Sequence, residues 1–189
     1  MRTTESGQSA LLLLDVASLL TKERLDYAVI GAMAASVHGV VRASLDADAV
    51  MSVTTERLGE LEMLFKKTGF QTELRRGDLA DPIPALLAVS DSFGNRVDLL
   101  AGLRGTDPEI FNRAIEVPFQ GETLRVVGRE DFIAMKLFAG GPQDLSDVRL
   151  AMAVAKDSLD KPLLTRLAKG FGLQTVRSLK KIFQNTSGE

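Results

Sequence analysis

Asp46 and Asp48 stand two residues apart at the entry to the apolar run 49–53. In an extended strand residues i and i+2 point to one face, so the two carboxylates project side by side. Adjacent carboxylates repel each other and lose hydration in a half-buried strand. A hard divalent cation, Mg²⁺ or Mn²⁺, offsets both costs because it prefers oxygen ligands. A third carboxylate, Asp98, follows Arg96 and Val97 in another apolar stretch, where a charge without a partner is costly. If that stretch pairs beside the strand of Asp46 and Asp48, three carboxylates surround one site. Such a set can hold two ions, one activating an attacking hydroxyl and one neutralising leaving pyrophosphate. The plainer alternatives are a turn pair for Asp46 and Asp48, and for Asp98 a carboxylate held by backbone donors or by Arg96.

The acidic pair sits behind a glycine turn. Residues 27–30 are an apolar strand, and Gly31-Ala32 opens a helix directly after it. Free N–H groups and the positive end of the helix dipole suit a phosphate there. Gly31, Ala32, Ala34, Ala35 and Ser36 are all small, which permits close backbone approach. Arg42 and Ser44, just before the acids, are placed to contact phosphate oxygens, and Lys136 on a later helix is a further candidate. Asp144 and Asp147 are three apart and share a helix face. His38 reads as a packed or hydrogen-bonded residue at a helix end rather than a base. Lys169, Arg177, Lys180 and Lys181 make the tail basic; that is a solvated face or the footprint of an RNA acceptor.

The elements that must position these residues follow in order. Apolar spacing predicts helices over 9–25, 31–39 and 55–67, the last capped by Thr55, with strands over 26–30, 46–53 and 70–74. Strands 85–90 and 96–101 form a hairpin around residues 91–95, and strands 115–119 and 124–127 form another. A short helix covers 108–114. Helices cover 129–139, 143–156, 158–169 and 173–184. Residues 1–8 are polar and expected to fray. The short links argue for an α+β fold: a mixed, mostly antiparallel sheet with flanking helices and a C-terminal helical subdomain. The division predicted is 1–127 for the core and 128–189 for the helices packed on it.

Composition narrows the chemistry. The 189 residues contain no cysteine and one histidine, which excludes disulfides, thiolate metal sites, a Cys nucleophile and a His-rich zinc site. A net charge of −2 gives no global pull towards nucleic acid, although a local basic patch remains open. No signal peptide and no apolar run of membrane-spanning length is evident. The expectation is a cytoplasmic protein without a membrane partner.

Taken together, Ile30-Gly31-Ala32, Val37-His38-Gly39, Arg42, Ser44, Asp46-x-Asp48 and Val97-Asp98 resemble the nucleotidyltransferase superfamily related to DNA polymerase beta. Residues 130–136, Gln143-Asp144 and Asp147-Val148 look like its AbiEii-type branch, which contains toxins of abortive-infection and type IV toxin–antitoxin systems. The resemblance covers roughly residues 25–150. It implies a nucleotidyltransferase-like fold and transfer of a nucleoside monophosphate from an NTP to an acceptor hydroxyl. The acceptor is then an RNA or tRNA end, a protein or a small molecule. It implies Asp46, Asp48 and Asp98 as metal ligands and catalytic residues, and Gly31 with Ala32 as the triphosphate turn. Lys136 and Asp144 fall near the nucleotide, and a toxin would have a cognate antitoxin. The family has Gly-Gly or Gly-Ser where this chain has Gly31-Ala32, so no hydroxyl reaches a phosphate from residue 32. That departure motivates an alternative: a catalytically inactive nucleotide-binding or regulatory module of the same fold.

Overall fold

A computed structural model describes residues 1–41, 44–54, 56–78 and 80–186. Arg42 and Thr55, expected as a phosphate contact and a helix cap, lie outside the described residues. Seven strands form one sheet, β1 (Tyr27–Ile30), β2 (Ala47–Met51), β3 (Gln71–Arg76), β4 (Ala85–Ser90), β5 (Arg96–Ala101), β6 (Ile115–Phe119) and β7 (Glu122–Val126). Their order is β3-β4-β5-β2-β1-β7-β6. β2 runs parallel to β5 and β1 parallel to β7, and the other neighbours are antiparallel. This is the mixed, mostly antiparallel α+β arrangement that the sequence predicts.

Sequence explains where each strand lies. β1 is apolar throughout and buried at every position, as a strand covered on both faces must be. The two edge strands are unlike it. β3 carries Glu73, Arg75 and Arg76 and is largely exposed, and β6 contains Pro118, which cannot donate to a ladder and is tolerated at an edge. α1 (Ser9–Lys22) buries Leu12, Leu13, Val16 and Leu20 against β2, β5 and β7. α2 (Gly31–Val37) follows β1 without a linker, and α3 (Leu58–Lys67) packs on β3 and β4. After β7 come α4 (Arg129–Ala139), α5 (Pro142–Ala155), α6 (Lys161–Gly170) and α7 (Leu173–Thr186). α4 touches α5, α6 and α7, so it is the hub of the helical half.

Two expectations are corrected. Residues 1–8 are tied down rather than frayed: Arg2 N donates to Asp15 Oδ2 at 2.8 Å, Gln8 N to Asn95 Oδ1 at 2.6 Å, and Asn95 Nδ2 to the Glu5 carbonyl at 2.8 Å. The expected helix over 108–114 shrinks to a 3-10 turn, Pro108–Ile110. Its Asp107 cap accepts from Glu109 N at 2.9 Å, and the chain must enter β6 at Ile115.

The joint before α4 is fixed by polar contacts. Val127 N donates to the Val29 carbonyl at 3.0 Å, and buried His38 reaches the Val127 carbonyl through Nε2 at 2.8 Å. Because the partner is a carbonyl, Nε2 carries the proton. Asp131, in the first turn of α4, accepts both Nε and Nη2 of Arg113 at 2.7 Å. Burial holds the His38 pKa below the ordinary imidazole value, against the opposing Val127 hydrogen bond. The unfolded chain therefore binds a proton here that the folded chain refuses. The stabilisation is complete above the unfolded value of about 6.5 and is lost as pH falls through the depressed folded value. Urea titrations of wild type between pH 7 and pH 5 should show stability falling with pH, and His38→Gln should flatten that slope.

Candidate active site

The β1–β2 register places Ile30 opposite Asp48, and the β2–β5 register places Asp48 opposite Asp98. The Asp98 strand thus lies directly beside the Asp48 strand. At the end of β1 the chain turns through Gly31 with φ +65°. A Cβ added at Gly31 would lie 2.2 Å from Asp48 Oδ2, a separation no two such atoms tolerate. The left-handed φ favours glycine, and any larger residue would also have to push the Asp48 carboxylate aside.

Ser9 ties the entrances of the two acidic strands together. Its hydroxyl donates to the Leu45 carbonyl at 2.5 Å and accepts from Arg96 N at 3.1 Å. Asp46 follows Leu45 and is exposed, whereas Asp48 and Asp98 are half-buried. Asp98 is engaged by Arg96, whose Nε lies 2.7 Å from Oδ1. Hydrogen bonding to Asp98 raises the Arg96 pKa against its partial burial, with further support from the charges of Asp98, Glu73 and Asp46.

From the helical side, α4 presents Lys136. Its ammonium lies 2.7 Å from Asp144 Oδ1 and 3.1 Å from Asp147 Oδ2, both on α5. The Asp147 side chain is fully buried and also accepts from Gln143 Nε2 at 3.0 Å. Asp144 accepts from Gly141 N at 3.3 Å, at the start of the same helix.

Sheet and helices enclose a cleft of about 350 Å³ with Gly31, Asp48, Lys136 and Asp144 on its wall. The remaining wall is apolar, from Ile30, Ile83, Leu100, Phe132, Met135 and Phe138 among others. That volume is within the usual range for small-molecule sites, roughly 300–1,000 Å³. Ala32, Ser44 and Asp46 line a different cleft of about 240 Å³, beside α1 and α2. The Ser44 hydroxyl donates to the Asp46 carbonyl at 2.9 Å and so shapes the turn into β2. The predicted residues are therefore divided between two neighbouring clefts, with Asp98 held in an ion pair. The apolar wall from Ile83, Phe132, Met135 and Phe138 was not picked out from the sequence. Its only signal is apolar spacing, which any core helix shares.

These contacts allow a test of fit for a divalent cation. The donor chemistry suits one: Asp48 on β2 stands opposite Asp98 on β5, but Asp46, expected within the strand and on the same face as Asp48, lies in the bend before β2 and lines the other cleft. The placement is incomplete, since no group of three acidic or histidine side chains among the described residues could hold an ion together. Asp46 lines the other cleft, and Asp98 is already paired with Arg96.

Known structures share this architecture. The solution structure of the antibiotic-resistance factor ANT(2'')-Ia matches with a TM-score of 0.59 at 16% identity, over 96% of this chain and 97% of that one. The fold is that of the nucleotidyltransferases. A nucleotidyltransferase-like protein from Paracoccidioides brasiliensis matches this nucleotidyltransferase-fold chain with a TM-score of 0.52 at 16% identity, covering 95% and 94%. The lincosamide antibiotic adenylyltransferase LnuA, bound to lincomycin, matches with a TM-score of 0.50 at 12% identity, covering 80% and 99%. At such identities the likeness is one of fold. No protein-family model matches the sequence, and no curated protein does. Among the described residues no helix is long and apolar enough to cross a membrane.

Two outcomes are expected. Arg96→Gln should free Asp98 and tighten Mn²⁺ binding at least about tenfold, read by titration calorimetry without nucleotide; unchanged affinity would show that Arg96 does not compete with the ion. Lys136→Met should take the Lys136 ammonium from buried Asp147 while leaving its Gln143 hydrogen bond, and cost about 3 kcal/mol in urea unfolding, as loss of one member of a buried ion pair does.

Proposed function

We propose that the protein is a metal-dependent nucleotidyltransferase, moving a nucleoside monophosphate from an NTP to an acceptor hydroxyl. The observation that carries this is the single cleft shared by Gly31, Asp48, Lys136 and Asp144 on the wall between sheet and helices. A triphosphate needs close backbone approach and positive charge, and a nucleobase needs an apolar wall; this cleft offers all three. In this reading residues 1–127 are the core that supplies the carboxylates. Residues 128–189 are the helical subdomain that closes over the nucleotide.

The residue roles follow from placement. Gly31 and Ala32 present backbone N–H groups at the start of α2 to the triphosphate. Lys136 exchanges a carboxylate partner for phosphate oxygens, while Asp144 holds the ammonium towards the cleft. Ser44 shapes the turn into β2, and Arg42 is proposed as a phosphate contact. Ile30, Leu100, Phe132 and Met135 exclude water from the base and sugar. Asp46 and Asp48, with Asp98 once Arg96 releases it, would hold Mg²⁺ or Mn²⁺, which supplies Lewis acidity to the phosphoryl oxygens and neutralises pyrophosphate. The acceptor oxygen bonds to the α-phosphorus, the α–β bridging bond breaks, pyrophosphate leaves, and Asp98 takes the acceptor proton.

The fold neighbours support transfer chemistry in general terms. One is named an adenylyltransferase of a lincosamide antibiotic, and one is seen with adenylyl-2''-tobramycin. For this chain a small-molecule, protein or RNA hydroxyl is the proposed acceptor. The toxin form of the proposal predicts growth arrest on expression, relieved by a cognate antitoxin. The inactive-module form rests on Ala32 and on the Arg96–Asp98 pair, and predicts NTP binding without pyrophosphate release.

Asp46→Asn and Asp48→Asn should each lower Mg²⁺-dependent pyrophosphate release by at least about a hundredfold, with far-UV circular dichroism unchanged. Full release by both variants would sink the transferase reading. Calorimetry with NTP separates an enzyme from a binding module.

A further inference from the structure

Charge is distributed unevenly along this chain. Residues 161–186 contain six Lys or Arg and no Asp or Glu, whereas the whole chain is −2. The remainder therefore carries −8. The basic segment is α6 and α7, and its cations are largely exposed. Arg166 is neutralised by Asp107, and Lys161 lies 6.0 Å from the centre of the Phe183 ring. The others have a different setting.

Between α5 and α7 runs a groove of about 260 Å³. Arg149 lines it from α5, and Arg177 and Lys181, one helical turn apart, line it from α7. Gln174 and Ser178 add neutral hydrogen-bonding groups, and no carboxylate contributes to the wall. None of the three cations makes an ion pair among the described residues. Three like charges facing a common groove raise its potential and favour an anion there. Lys180, exposed on α7, adds positive charge to that helix, and Lys169 is exposed on the neighbouring α6.

We propose that this groove binds the phosphate backbone of a nucleic acid, specifically single-stranded RNA. A stripe of spaced cations on two helices matches a chain of phosphates better than one small anion. Two arginines give planar forks suited to phosphate oxygens. The groove also has a useful address. Leu145 and Arg149 line it, while Asp144, on the same helix, lines the cleft beside Gly31 and Asp48. A strand held in the groove is separated from the cleft by one helix, about 10 Å across, a span a few nucleotides cover. That the RNA end is the acceptor rests on the transferase reading; the binding itself does not.

The test uses the full-length protein and a fluorescein-labelled single-stranded 20-mer RNA, followed by anisotropy across salt concentrations. Three phosphate contacts predict a slope of log affinity against log salt of about −2 for a single strand. Charge reversal in Arg149→Glu/Arg177→Glu/Lys181→Glu should weaken binding at least about a hundredfold and flatten that slope. The substituted side chains are exposed, and circular dichroism checks that the fold is kept. Unlabelled RNA should displace the probe, whereas a polyglutamate peptide of equal charge should compete at least tenfold more weakly. RNA binding that survives charge reversal, or equal competition by polyglutamate, overturns the proposal. NTP calorimetry on the same variant keeps the readings apart: lost RNA binding with intact NTP binding supports the groove. RNA binding by a wild type that transfers nothing leaves the groove standing and removes the transferase.

Discussion

Ile30 pairs with Asp48 across β1 and β2, and that register lays the Asp48 carboxylate against Gly31, where a Cβ would stand 2.2 Å from Oδ2. Much of the site's geometry depends on this approach. It sets the direction in which the chain leaves β1, and so the start of α2. It also holds one carboxylate at the mouth of the cleft, against its own tendency to turn towards water. The parallel pairing with β5 then sets Asp98 alongside.

Cations accompany several of the acids around this centre. Arg96 holds Asp98, Lys136 holds Asp144 and Asp147, and Arg113 holds Asp131 at the root of α4. The Arg96–Asp98 pair lies within β5, the Lys136 pairs join α4 to α5, and the Arg113–Asp131 pair ties the start of α4 to the segment before β6. Half-buried charges of this kind are held in place more by the cost of stranding one partner than by the attraction between them. In α6 and α7 the cations other than Arg166, which pairs with Asp107, stand largely in solvent.

Much of the architecture was legible in the sequence. The strands at 85–90 and 96–101 were read with the bounds observed, because short, largely apolar runs on either side of a turn-forming link leave little choice. The mixed sheet followed from links too short for repeated crossovers. The Gly31–Asp48 contact was not legible, since it depends on a cross-strand register. The Arg96–Asp98 pair was half visible: residues two apart in a strand share a face, but only the fold shows which partner Arg96 takes. The division of Ala32, Ser44 and Asp46 into a cleft apart from Gly31 and Asp48 depends on the path of α2, which spacing does not reveal. The binding of residues 1–8 was missed because their partner, Asn95, is distant in sequence.

Ser9 gives α1 a mechanical part in the chemistry. Its hydroxyl, on the first residue of that helix, spans the Leu45 carbonyl and Arg96 N. The separation of the two acidic strands at their entrances is thereby gauged by a helix terminus that itself lines the smaller cleft beside Asp46. Thermal fraying of that first turn and loosening of the carboxylate array are then one event.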